Sequence, residues 1–163
     1  MDAGFFDHRP ARQCRHTCRG GPGAGGASVS DNHTTNIPEV VEEICDLFES
    51  YELALIDKNV EVLDVTFWNS PHTIRLANYQ HGCVLDRIHA HRVARPPGPG
   101  SKETRLRLDI VSIGRDVATV TLICKVRSQK MTGRQMQTWV RFPDVGWKVV
   151  AAHVPMIDRE PTF

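Results

Sequence analysis

The hydrophobic period of this chain changes once, and that change limits the fold more than any other feature. Between residues 38 and 94, apart from a short stretch at 73–77, the apolar residues recur at three- and four-residue spacing. From residue 102 they fall in long runs rich in strand formers, separated by short turn strings. Helices first and antiparallel strands afterwards argue an α+β domain, with the helices packed on one face of a strongly bent sheet. The length of 163 residues suits one domain with a real core.

The helical part is specific. Asn36 is placed to cap a first helix, with Pro38 in its first turn and Glu39 at the third position of a capping box. Val40, Val41, Ile44, Leu47, Phe48, Tyr51, Ala54 and Leu55 form one apolar stripe. A short second helix follows Asn59, with Val60, Leu63 and Phe67 inward, and Asn69-Ser70-Pro71 stops it. Thr73 to Ala77 reads as a short strand, and residues 83–94 as a third helix ended by Arg95-Pro96-Pro97-Gly98-Pro99-Gly100. Two hairpins complete the domain. Lys102–Ile113 and Val117–Arg127 turn at Gly114-Arg115-Asp116, and Gln135–Phe142 and Trp147–Val154 turn at Pro143-Asp144-Val145-Gly146.

Composition excludes several classes. Twenty basic against 19 acidic side chains leave a net charge of +1, which favours neither nucleic acid nor an anionic membrane. No apolar run approaches a membrane span, and no secretory h-region opens the chain. Five scattered cysteines are not a disulfide framework. Cys45 and Cys124 read as free core thiols, and a reducing cytoplasm fits.

Residues 1–36 hold six of the 12 glycines and Arg9, Arg12, Arg15 and Arg19. Such a stretch buries too little apolar surface to offset its ordering entropy, so it is expected to be disordered. Val29 before Ser-Asp-Asn suits an alternative start codon. The expected folded domain spans residues 37–157, with a short tail at 158–163. Against Asp2, Asp7 and Asp31 the four arginines are a weak charge block for a partner. Cys14 and Cys18 with His8 and His16 have no standard zinc-finger spacing, so no metal is expected. Phosphate loops and the nucleophile elbow of serine hydrolases are absent.

Several strings resemble the AtzH-like family of the nuclear transport factor two-like (SnoaL-like) superfamily, which includes an oxalurate-catabolism branch (the HpxZ type). They are Phe48-Glu49-Ser50-Tyr51-Glu52-Leu53-Ala54-Leu55; Phe67-Trp68 with His72-Thr73-Ile74-Arg75; Arg92-Val93-Ala94-Arg95-Pro96; Gly133 to Trp139; and Gly146 to Val154. Together they cover about residues 38–156. The resemblance implies a cystatin-like cone, with helices in the concave face of a curved, mainly antiparallel sheet and a small-molecule pocket between them. It also implies a homodimer and cofactor-independent chemistry on a small carboxylated urea or amide, by decarboxylation or C–N hydrolysis. The alternative is a non-catalytic ligand-binding or accessory dimer of the same fold. Similar proteins carry a glycine-rich segment with a Glu-Asn pair after the strand arginine. Here Leu76-Ala77-Asn78-Tyr79-Gln80-His81-Gly82 is shorter and lacks that glutamate.

The resemblance assigns catalysis to Tyr51 and Arg75. A guanidinium offers a planar fork that matches a carboxylate, so Arg75 would anchor an anionic substrate. The other reading of Arg75 is a surface ion pair. Tyr51 lies on the apolar stripe, where its hydroxyl donates either to substrate or to backbone. Substrate-binding candidates are Arg95, Gln137, His153 and Trp68. Arg95 equally suits a helix C-terminus, and Trp68 plain core. Gln137 offers both a donor and an acceptor to an amide, and His153 a proton shuttle. Simple hairpin pairing puts them on opposite faces. A β-bulge would reverse which one points inward, and the sequence leaves that open.

Overall fold

The computed structural model describes residues 34–77, 80–83, 85–97, 104–126 and 131–158. The expected tail therefore lies almost wholly outside the described residues, as do Cys14, Cys18, His8 and His16.

Three helices, α1 (Pro38–Asp57), α2 (Val60–Thr66) and α3 (Leu85–Ala94), are joined by strands β1 (Ile74–Ala77) and β2 (Gln80–Cys83). Then come β3 (Arg105–Ile113), β4 (Val117–Val126), β5 (Met131–Phe142), β6 (Gly146–Val154) and β7 (Met156–Ile157). The described strands form one mixed sheet in the order β2-β1-β6-β5-β4-β3, with β7 beside β5. β1 runs parallel to β6, and the other pairs are antiparallel. The helices pack on one face of this curved, unclosed sheet, so the α+β expectation holds. No helix among the described residues is long and apolar enough to cross a membrane.

The stripe of α1 does what its spacing predicts: Val40, Val41, Ile44, Phe48, Tyr51 and Ala54 are buried against the sheet. Pro38 sits in the first turn, where its missing N–H costs nothing. The cap differs from expectation. Ile37 occupies the N-cap with no side-chain bond, so there is no capping box. Asn36 instead adopts φ 55°, a region asparagine tolerates, and its side chain accepts from the Ser112 N–H at 3.1 Å. Thr35 bridges Ile113, and the Gly114 N–H donates to the Thr34 carbonyl, so residues 34–36 join the edge of β3. Asn59 caps α2 as read, accepting from the Val62 N–H at 3.1 Å. Arg105 ties β3 to α1 through Glu49 at 2.6 Å.

The segment after β1 is a second strand, β2, rather than a loop, and α3 starts at Leu85. β5 begins four residues before the expected Gln135, because Met131–Arg134 continue the ladder with β4. Gly114 and Gly146 supply the positive φ their turns require, at 61° and 68°. Cys45 is buried in the core and disulfide-bonded, which corrects its reading as a free thiol. Cys124 is a free thiol, and burial raises its pKa.

The hairpin left open by sequence is settled by a bulge. Thr138 pairs with Ala151 but Trp139 pairs with Val149, which leaves Val150 as the extra residue of β6. From that point the two strands change phase. Gln137 then pairs with Ala152 and faces the helices, only 1% exposed. His153 pairs with Met136 on the opposite, exposed face.

Candidate functional site

The site begins as one rung of the sheet. Arg75 of β1 pairs with Ala152 of β6, which pairs with Gln137 of β5, which pairs with Val120 of β4. Residues in register across strands share a face. Arg75 and Gln137 therefore rise on the helix side about 10 Å apart, two strand spacings, with the methyl group of Ala152 between them. Ala152 itself is buried, 6% exposed, and belongs to the core.

The helices supply the opposite wall. Tyr51 of α1 is buried, with its ring centroid 6.3 Å from that of Phe67, the residue that ends α2. Arg92 of α3 lays its guanidinium over the other aromatic partner, with Cζ 4.5 Å from the Phe67 centroid. Arg92 is only 4% exposed and pairs with Asp64, whose Oδ1 accepts from Nη1 at 2.6 Å. The other oxygen of Asp64 lies 2.5 Å from His89 Nδ1. Arg92 Nη2 is buried and has no protein partner.

The electrostatics follow from this convergence. Burial raises the Tyr51 pKa, because a phenolate is costly away from water. Arg92, Arg75 and Arg95 oppose that shift, and Glu52 adds to it. Burial also lowers the pKa of Arg75, as do Arg92 and Arg95, while Tyr51 acts the other way. His91 is lowered by burial first, then by Arg75, Arg95 and Arg92. Three cations thus act on one neutral phenol. Glu52 acts on the same phenol, and Asp64 is paired with Arg92.

Of the residues singled out from sequence, the structure brings Tyr51, Arg75 and Arg95 together and puts Gln137 on the same face. Arg95 also sits at the helix end, with its N–H donating to the His91 carbonyl. His153 points away from this group because of the bulge. Trp68 is also apart from it. The chain is extended at Phe67, so successive side chains diverge, and Trp68 stacks on Phe142 at 4.8 Å near the β5–β6 turn.

Sequence reasoning passed over Arg92, Asp64 and Trp139. The three-residue spacing of Arg92 and Arg95 does place them on one helix face. Nothing in the sequence marks Asp64 as the counter-charge, since 28 residues separate the pair. Trp139 is core, 1% exposed. Its second role appears only through its bond to Gln137, where Nε1 donates to Oε1 at 3.0 Å. Among the described residues no group of three or more His, Cys, Asp or Glu side chains is placed to hold a metal.

Comparison with known proteins agrees with this architecture. A cystatin-like fold protein from Burkholderia xenovorans LB400 is 34% identical, covering 78% of this chain and 99% of that one, with a TM-score of 0.72. A protein of the DUF3225 family, of unknown function, from Pectobacterium atrosepticum SCRI1043 is 33% identical, covering 79% and 98%, with a TM-score of 0.70. A nuclear transport factor 2-like superfamily protein from Salmonella enterica serovar Typhimurium LT2 shares the fold at 19% identity, covering 71% and 89%, with a TM-score of 0.55. No curated protein matches. The AtzH-like family model matches residues 33–160, a span that includes all the described residues, and the chain belongs to the AtzH-like family.

Proposed function

We propose that the chain is a cofactor-independent enzyme acting on a small carboxylated urea or amide, which it breaks down by decarboxylation or C–N hydrolysis. Family and fold support a small-molecule-binding or catalytic domain. One observation carries the finer reading: Arg75, Arg92 and Arg95 all act on the buried, protonated hydroxyl of Tyr51.

In this reading the guanidinium of Arg75 holds a substrate carboxylate, and Arg92 contributes the donor it has left over from Asp64. For a carboxyurea, Tyr51 gives its proton to the carbamate nitrogen. The N–C bond then breaks, its electron pair stays on nitrogen, and carbon dioxide leaves. The phenolate so formed is stabilised by the same three cations until it recovers a proton from water. Burial keeps Tyr51 in the acid form at neutral pH, ready to donate.

The test is carbon dioxide release from 1,3-dicarboxyurea, and release of carbon dioxide or urea from oxalurate, by purified protein. The wild type should turn over one of them. Tyr51→Phe should lose at least about a hundredfold in kcat, the usual scale of general-acid catalysis. Arg75→Ala should mainly raise KM. Equal rates in all three proteins would remove both roles. The second reading is a ligand-binding protein without chemistry, and the buried donors on Arg92 and Gln137 favour it equally well. Thermal stabilisation by these compounds without turnover would select it.

A further inference from the structure

Trp139 and Gln137 stand two residues apart on β5, so they share the helix-facing side of the sheet. The bond from Trp139 Nε1 to Gln137 Oε1 does more than join them. An indole has a donor and no acceptor, so its partner on the amide must be the oxygen. The orientation of the amide is thereby fixed. What Gln137 presents to the rest of the site is Nε2, a pure donor, which is buried and has no partner in the protein. Gln137 was read from sequence as offering both a donor and an acceptor; the structure commits its oxygen to Trp139. Arg92 Nη2 is a second buried donor without a partner, on a different element. A buried N–H without an acceptor is unfavourable, so each of these donors points to an occupant that offers it an acceptor.

We infer that Trp139 is a specificity-determining positioning residue: it locks the Gln137 amide as a donor, so the site selects ligands that present a carbonyl or carboxylate oxygen there. Ligands with an N–H at that point are rejected, because two donors then face each other and neither is satisfied. This deepens the reading of the cluster as a substrate site and rests on it.

The experiment uses two probes with the same heavy-atom skeleton, ureidoacetate and guanidinoacetate. They differ in whether the central carbon carries C=O or C=NH₂⁺. Dissociation constants are measured by calorimetry for wild type, Gln137→Met, Trp139→Phe and Arg75→Ala. The two β5 variants are charge-neutral, so the field of the arginines is unchanged and the ratio of the two affinities isolates the amide. The wild type should prefer ureidoacetate. Gln137→Met should reduce that preference about tenfold by weakening ureidoacetate alone, the scale of one hydrogen bond. Trp139→Phe frees the amide to turn, so it should reduce the preference mainly by strengthening guanidinoacetate.

A structural role for Trp139 would instead weaken both probes together and leave the ratio unchanged. If Trp139→Phe fails to fold, Gln137→Met decides. An unchanged ratio in the variants that fold, with Arg75→Ala still weakening ureidoacetate, overturns the inference and leaves the substrate site standing. Failure of both probes to bind the wild type overturns both.

Discussion

Arg75 and Gln137 flank Ala152 on a single rung, one through a parallel pairing and the other through an antiparallel one. Two polar side chains from different parts of the chain thus stand on one face of the sheet, with only the methyl group of Ala152 between them. The arrangement depends on the β6 bulge, because without it Ala152 and Gln137 would not share a phase on this face.

Adding bulk between them tests whether the binding site lies there. If a ligand binds between Arg75 and Gln137, Ala152→Leu should lower affinity for ureidoacetate at least about tenfold while changing stability by less than about 1 kcal/mol, the added carbons taking the ligand's volume. Urea denaturation and calorimetry on the same preparation read both effects. A loss of stability of about 2 kcal/mol or more would mean that this volume is already occupied by protein atoms.

The Asp64–Arg92 pair should behave as a buried charge pair. Asp64→Asn leaves the Arg92 guanidinium 4% exposed without its counter-charge, and should cost about 2 kcal/mol in denaturant unfolding. Asp64→Asn combined with Arg92→Met removes the stranded charge and should recover much of that loss. A double variant no more stable than Asp64→Asn would show that the charge was not the source of the penalty.

Tyr51 should make stability fall at alkaline pH. Its pKa in the folded protein lies above the ordinary value of 10.0, so above pH 10 the folded form binds more protons than the unfolded one. The contribution is fully present below that pH and is lost as pH rises through the folded pKa. Denaturation curves at increasing pH should therefore decline more steeply for wild type than for Tyr51→Phe. Tyr79→Phe leaves Tyr51 as the single tyrosine of the chain, and an ordinary phenol titration in that variant would contradict the burial effect.

His91 should report occupancy of the site. Burial and then Arg75, Arg95 and Arg92 hold its pKa below the ordinary 6.5, so its neutral form favours folding above that value and the benefit is lost as pH falls through the folded pKa. A bound anion offsets the arginines. The His91 ring signals, assigned by comparison with His91→Gln, should titrate at higher pH in saturating ureidoacetate than without it. No movement in a complex shown to form would place the anion away from these arginines.

The sequence by itself determined the class of this fold. The stripe from Val40 to Leu55 requires a helix with one buried face, and the strand formers around Gly114 and Gly146 require hairpins, because both signals arise between near neighbours. The strings around Tyr51 and Arg75 also pointed to the family. Three things were decided only in the tertiary structure. Asn36 left the role of helix cap because the Ser112 N–H, 76 residues away, offered a partner. Asp64 became the counter-charge of Arg92 because α2 and α3 pack side by side. The choice between Gln137 and His153 turned on one unpaired residue, Val150. A strand has period two, so a single inserted residue exchanges its faces, and composition carries no record of where that residue falls.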